Sequence, residues 1–328
     1  MKAQRRVLAC MVLVLFGGVG LLLGRTPALS QQPLKEIIMA YLPIGDFLPM
    51  YVAIDQGYFA EAGIKITLKD TPGGGGVNQG TAVASDSAQM GAFSTNNVIA
   101  GAIQGFDFQV IAEASVGQAR TSKATALMVP LDSPIKTAKD LEGKTLGTAN
   151  AGAIMTMMTY GWMIDNGADW KKLKLFEVPF PRMAAPLKQK QVDTIAQVEP
   201  FVTLYKDQLK IGRVLGYLTG DTDRTWSIAV YFGREKWIEA NPEIVKGFIR
   251  AYDKGVDFTQ QKETEARAVL PKFTRIEAPL AQKINLTSWG KGVRLNLLEG
   301  MQNFMHELKF IDKKMDMRKL VSRHAKVN

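Results

Sequence analysis

The sequence predicts an α/β fold arranged as two lobes. Short β-type runs alternate with helical stretches along nearly the whole chain, which argues for sheets of largely parallel strands. The alternation runs through one series, restarts after Val129, and returns near Ile228. A chain of 328 residues that is 46% hydrophobic also carries enough apolar side chain for two cores.

The elements follow in order. Ile37 to Tyr41 is a buried strand, and Leu48 to Gln56 a helix that Gly57 is placed to stop. Ile64 to Leu68 alternates apolar and polar residues, as a strand with one exposed face does. Val77 to Ala84 is a helix, Met90 to Phe93 a short strand, Asn97 to Gln104 a helix and Phe108 to Glu113 a strand. Thr125 to Val129 opens the second series. There Thr137-Ala138-Lys139-Asp140 has the form of a capping box and Gly143 follows the short helix. Thr145 to Thr148 is a strand leading into Ala149-Asn150-Ala151-Gly152-Ala153, and a Met-rich helix runs from there to about Asn166. Leu173 to Val178 and Thr194 to Val198 are strands, with a helix from Met183 to Lys190 between them.

Ile228 to Phe232 is the strand returning to the first lobe, and the rest reads as helical. Asn241-Pro242-Glu243 offers an N-cap, a proline at the first helical position and an acid in the first turn. Ile244, Val245, Phe248, Ile249, Tyr252 and Val256 then form one apolar stripe, and Met301, Phe304, Met305 and Leu308 form another. Both read as core.

The first thirty residues read as a secretory signal. Lys2, Arg5 and Arg6 precede the apolar run Val7 to Leu23, and Ala28-Leu29-Ser30 supplies a small-x-small pattern, so cleavage is expected after Ser30. The alternative is a membrane anchor, but the run is short for a bilayer span and diluted by Gly17, Gly18 and Gly20. Cys10 sits before the apolar core rather than after it, so lipidation there is rejected.

Composition excludes several function classes. Cys10 is the only cysteine, so the mature chain has no disulfide, thiol nucleophile or thiolate metal site. His306 and His324 are the only histidines and lie near the C-terminus, which argues against a Ser-His-Asp triad or a histidine-rich zinc site. No catalytic residue, metal site or cofactor is expected. Of the formal charge of +10, the signal contributes Lys2, Arg5, Arg6 and Arg25, leaving +6. No basic stretch interleaves with aromatics, so nucleic acid is not an expected partner. Lys313, Lys314, Arg318, Lys319, Arg323 and Lys326 read as a solvated face.

Glycine-rich segments do not make a phosphate loop. No Lys-Ser or Lys-Thr follows Gly73 to Gly76, and Gly143-Lys144-Thr145 has alanine at position 138 and opens a strand. Strand-to-helix junctions are more informative, because ligands of open α/β sheets sit beyond the carboxyl ends of strands. The candidates are Asp46 and Phe47; Ser94, Thr95 and Asn96; Asn150, Ala151, Gly152 and Ala153; and Glu199. Small residues at 149–153 suit either close approach of a ligand to backbone amides or a tight turn, and local sequence weighs the two equally. Asp46 and Glu199 suit either acceptance of hydrogen bonds from an amine or heterocycle, or a helix cap.

Several segments together resemble a known family. Tyr41-Leu42-Pro43 through Asp55-Gln56-Gly57-Tyr58-Phe59-Ala60-Glu61-Ala62-Gly63-Ile64, Gly91 to Asn97, Ile135 to Gly147, Val192 to Phe201, Pro242 to Phe258 and the ending through Ile311, Met317 and Leu320-Val321 are similar to the ABC-transporter binding proteins for nitrate, taurine and aliphatic sulfonates, and for thiamine pyrimidine precursors. The resemblance covers nearly all of the mature chain in the family's order.

It implies a type II periplasmic-binding fold: two α/β lobes, a ligand cleft and two hinge crossovers. Lobe one would be residues 34–124 plus 229–328, and lobe two residues 125–228, with hinges near Arg120 to Thr125 and Thr225 to Ile228. It also implies ligand contacts at the four junctions above, with Trp226 beside a hinge as an aromatic wall. The implied activity is capture of a small organic solute (sulfonate, pyrimidine-like or related) in the periplasm by a monomer, and delivery to an ABC permease with its ATPase. Two alternatives remain. One is an enzyme on the same fold acting on a thiamine pyrimidine precursor, disfavoured by the missing cysteine and histidine. The other is a ligand-sensing partner of a receptor.

Overall fold

The computed structural model describes residues 33–71, 77–274 and 276–328, and residues 33–328 form one compact unit. The expected signal segment 1–30 with its cleavage point, and the Gly73 to Gly76 run, lie outside the described residues. In chain order the strands are β1 (Lys35–Tyr41), β2 (Ile64–Asp70), β3 (Met90–Ser94), β4 (Phe108–Gly117), β5 (Thr125–Pro130), β6 (Thr145–Thr148), β7 (Lys174–Glu177), β8 (Thr194–Val198), β9 (Gly212–Tyr217) and β10 (Trp226–Arg234).

They form two five-stranded sheets, ordered β2-β1-β3-β10-β4 and β7-β6-β8-β5-β9. β1 runs parallel to β2 and β3, and β6 runs parallel to β7 and β8. Each sheet has one antiparallel strand in its fourth position: β10 between β3 and β4, and β5 between β8 and β9. These two strands are the first that the chain makes after crossing from one sheet to the other. The β4–β5 and β9–β10 connections are therefore the two crossovers.

Burial on both faces explains the apolar strands. Along β10, Val230 and Phe232 pack into one core, and Ala229 and Tyr231 into another, all nearly free of solvent contact. The core holding Tyr231 is closed by the helices Leu48–Asp55 and Pro242–Gln261, whose stripe Val245, Phe248, Tyr252 and Val256 is buried as the periodicity predicts. The core holding Phe232 runs on from the first sheet into the second through Leu127, Met158 and Ile195.

Gly255 sits where these two helices cross. A side chain there would drive its Cβ into the Pro49 carbonyl, which is backbone and cannot swing aside. Gly255→Ala is expected to lower stability by about 3 kcal/mol, the upper range for overpacking a core, in a urea melt.

Local signals mostly hold. Gly57 takes a left-handed φ of 75° directly after the helix it ends. Thr137 and Asp140 form the capping box: the Thr137 amide donates to Asp140 Oδ2 at 2.9 Å, and the Asp140 amide to Thr137 Oγ1 at 3.4 Å. Asn241 differs. Its side chain makes no cap to the helix after it and instead donates to the Trp237 carbonyl at 2.8 Å, closing the preceding helix Glu235–Ala240. A donor amide satisfies the orphan carbonyls of a C-terminus as readily as its oxygen satisfies an N-terminus. The basic C-terminal residues 313, 314, 318, 319, 323 and 326 are exposed, as a solvated face should be. Among the described residues no helix is long and apolar enough to cross a membrane.

Candidate functional site

The carboxyl ends of β1, β3, β6 and β8 converge on one cleft, because each sheet points these ends at the other. The cleft has two chambers sharing Leu42, Ile44 and Phe180. The outer chamber, of 680 Å³, is walled by Pro43, Pro179, Phe180, Pro181, Pro200, Phe201, Leu204, Ile276 and Leu280, with Asp70, Arg182, Gln208 and Glu277 also on its wall. The inner chamber, of 60 Å³, is bounded on the first-sheet side by Asp46, Phe47, Gln79, Phe93 and Ser94. Thr125, Ala153, Ile154, Met155 and Val198 bound it on the second-sheet side.

The inner chamber is where polar chemistry concentrates. Asp46 is 3% exposed, and its Oδ2 accepts a 2.8 Å hydrogen bond from Ser115 on β4. Its backbone carbonyl accepts the Trp289 indole N–H at 2.7 Å, which pins the turn. Burial raises the Asp46 carboxyl to about 6; the Ser115 bond opposes that rise, and the charge of Glu199 adds to it. Gln79 Oε1 and Thr125 Oγ1 are buried and have no hydrogen-bond partner among the described residues. An orphaned buried polar atom costs on the order of 1–3 kcal/mol, so two on one small chamber need a reason. Ser94, which precedes the helix Thr95–Ile103, makes no cap with its hydroxyl. The helix Ile154–Asp165 starts at the chamber, and its first amides have no carbonyl four residues back to bond.

The other candidates divide by role. Asn96 Nδ2 donates to the Gly152 carbonyl at 2.7 Å, a bond from the first turn of the helix after β3 to the loop after β6. Glu199 is 1% exposed and saturated: it accepts from the Thr203 amide at 3.0 Å and hydroxyl at 2.7 Å, and from Asn285 N at 3.0 Å and Nδ2 at 2.9 Å. It thus caps the short helix after β8 and grips the segment following Ala281, which packs on the first sheet; burial raises its pKa. Thr95 bonds Ser227 at 2.9 Å. The Ala151 amide donates to Glu177 at 3.0 Å, and the Asn150 carbonyl accepts the Thr156 hydroxyl at 2.7 Å. These tie the turn together, as one of its two readings requires.

Trp226 is placed away from both chambers. It is 4% exposed, meets Phe304 edge-on at 5.0 Å and packs on Gly161. Its position at the first residue of β10 buries it between the second lobe's Met-rich helix and the C-terminal helix, so it serves as core.

Asp46, Phe47, Ser94 and Ala153 are therefore brought together at the inner chamber. Sequence reasoning passed over Gln79, Thr125 and Phe180. The Pro179-Phe180-Pro181 bracket at the carboxyl end of β7 was a readable signal, since prolines fix an aromatic there at little entropic cost. Gln79 carried none, because a helical glutamine is usually solvated.

A family model described as NMT1/THI5 like matches residues 44–266. No curated protein sequence matches the chain significantly. Among solved structures, the chain is similar to the periplasmic aliphatic sulphonate binding protein SsuA from Escherichia coli, with a TM-score of 0.71 and 19% identity over 88% of this chain and 92% of that one. It is also similar to the periplasmic nitrate-binding protein NrtA from Synechocystis PCC 6803, with a TM-score of 0.72 and 14% identity over 89% and 86%. A third is the ligand binding component of an ABC-type import system from Staphylococcus aureus, with a TM-score of 0.73 and 12% identity over 88% and 96%. The shared fold is that of the periplasmic binding proteins.

Proposed function

The chain belongs to the NMT1/THI5-like family, and from that premise we propose that it is an exported solute-binding protein that delivers a small organic molecule to an ABC permease and its ATPase. The observation that carries this is the cleft itself, walled by loops from both sheets and holding buried polar atoms that no described residue satisfies. The lobes, residues 34–124 plus 229–328 and residues 125–228, close over the solute by bending at the two crossovers. Asp46, Phe47, Ser94, Gln79, Thr125, Ala153 and Phe180 contact it, and Asn96 with Gly152 and Glu199 with Asn285 hold the closed form. Binding proceeds without turnover: no histidine or cysteine is among the described lining residues, so thiol or imidazole chemistry has no agent there. The solute is organic rather than a bare inorganic anion, because its body must fill an apolar outer chamber and its head must sit beside Asp46.

A thermal-shift panel on the chain from Gln31 tests this, with sulfonates, nitrate, pyrimidine precursors, amines and aromatic acids as probes. A ligand at a hundred times its dissociation constant adds roughly 2.7 kcal/mol of stability. The expected result is a large shift with one organic class, lost in Phe180→Ala. A shift with nitrate alone, or a shift untouched by Phe180→Ala, contradicts the reading.

A further inference from the structure

We infer that the solute enters head first as an organic cation, with a protonated amine or amidine in the inner chamber and an apolar body in the outer one. The inference rests on the solute-binding reading above and assigns its substrate class.

Three acceptors carry it. Asp46 supplies a carboxylate of which only Oδ2 is engaged by another side chain, by Ser115. Gln79 Oε1 and Thr125 Oγ1 are each buried without a partner among the described residues. An ammonium has three donors and no acceptor, so the set matches in number and polarity. A sulfonate or carboxylate head has no donor for Asp46 or Gln79 Oε1; the Thr125 hydroxyl and the first amides of the Ile154 helix are the donors it would find, and it brings a second negative charge to Asp46.

Size agrees as well. The inner chamber is much the smaller of the two, 60 Å³ against 680 Å³, so it suits the compact head of the solute. The ring or chain has to stay in the 680 Å³ outer chamber, against Phe180, Phe201, Leu204 and Leu280.

The charges facing Asp46 support the sign. Glu199 is the charged group that acts on it, and the phenols of Tyr51 and Tyr231 and the hydroxyl of Ser115 complete its surroundings. The helix beginning at Ile154 opposes a cation with about half a charge, against the full charge of Asp46. Asp70 and Glu277 outnumber Arg182 on the outer wall. Because the free Asp46 carboxyl lies near 6, amine affinity falls as pH drops through that value, and Asp46→Asn removes the dependence.

The test is calorimetry with phenylbutylamine, phenylbutyrate and phenylbutanesulfonate, three heads on one body. The amine is expected to bind and the two anions not. Asp46→Asn weakens the amine by about 100-fold and the near-isosteric Thr125→Val by about 10-fold, with melting temperatures showing both variants folded. Binding of an anion in place of the amine overturns the cationic head and leaves solute capture standing. If none of the three binds, the inference falls, and the wider panel separately decides whether the cleft takes a solute at all. Equal amine affinity in wild type and Asp46→Asn also overturns it.

Discussion

Asp46→Asn is expected to make the ligand-free protein more stable while weakening capture of its solute by about 100-fold. The Asp46 carboxyl is raised from 3.8 to about 6, so between those values the folded state keeps a proton that the unfolded chain has released. Stability therefore falls as pH rises through this window and stays low above it. At 1.36 kcal/mol per pKa unit the penalty at pH 7 is about 3 kcal/mol. Asparagine keeps an acceptor for Ser115 and removes the buried charge. The gain should be present in urea melts above pH 6 and vanish well below the unfolded value of 3.8, where aspartate is protonated in both states. A buried, uncompensated carboxylate is what a cleft retains when a ligand supplies the missing partner. A variant no more stable than wild type at pH 7 would show Asp46 to be compensated within the protein itself.

Glu199→Ala should have the opposite effect on stability and a distinct effect on shape. Its carboxylate accepts four hydrogen bonds, two from Thr203 in its own helix start and two from Asn285. Truncation strands buried donors at both partners, and a loss of about 3 kcal/mol is expected. Glu199→Gln retains one acceptor oxygen and should lose less. Because Asn285 follows the segment packed on the first sheet while Glu199 directly follows β8 of the second, the alanine variant should also open the cleft. Small-angle scattering of the ligand-free protein should show a larger radius of gyration than wild type. Lost stability with an unchanged radius would make Glu199 a helix cap and nothing more.

The contrast between these two acids marks how far the sequence could be read. Both precede helical turns, and both suited either a cap or a ligand contact. What separates them is three-dimensional: the Glu199 carboxylate accepts four bonds, two of them from distant Asn285, whereas the Asp46 carboxylate is engaged by one other side chain, Ser115 on β4, and keeps acceptor capacity. Strands were legible where burial on both faces writes an apolar run, as in Thr145–Thr148 and Thr194–Val198, whose limits match the expectation. β9 was missed because Gly212 and Gly216 interrupt it and, as an edge strand, it is half-buried with no clean alternation. Trp226 reads in sequence as a cleft aromatic beside a crossover. Only the packing of Gly161 and Phe304 around it reveals a core residue. Thr125 was visible as the start of a strand, but its place on the inner chamber follows from the antiparallel insertion of β5 between β8 and β9.

Calorimetric titration of the strongest ligand from the thermal-shift panel tests the central claim of capture in this cleft most directly. The account predicts one site per chain, a negative heat-capacity change from burying the apolar outer chamber, and loss of binding in Asp46→Asn and Phe180→Ala. Full-strength binding in both variants would place the ligand elsewhere on the protein and contradict it.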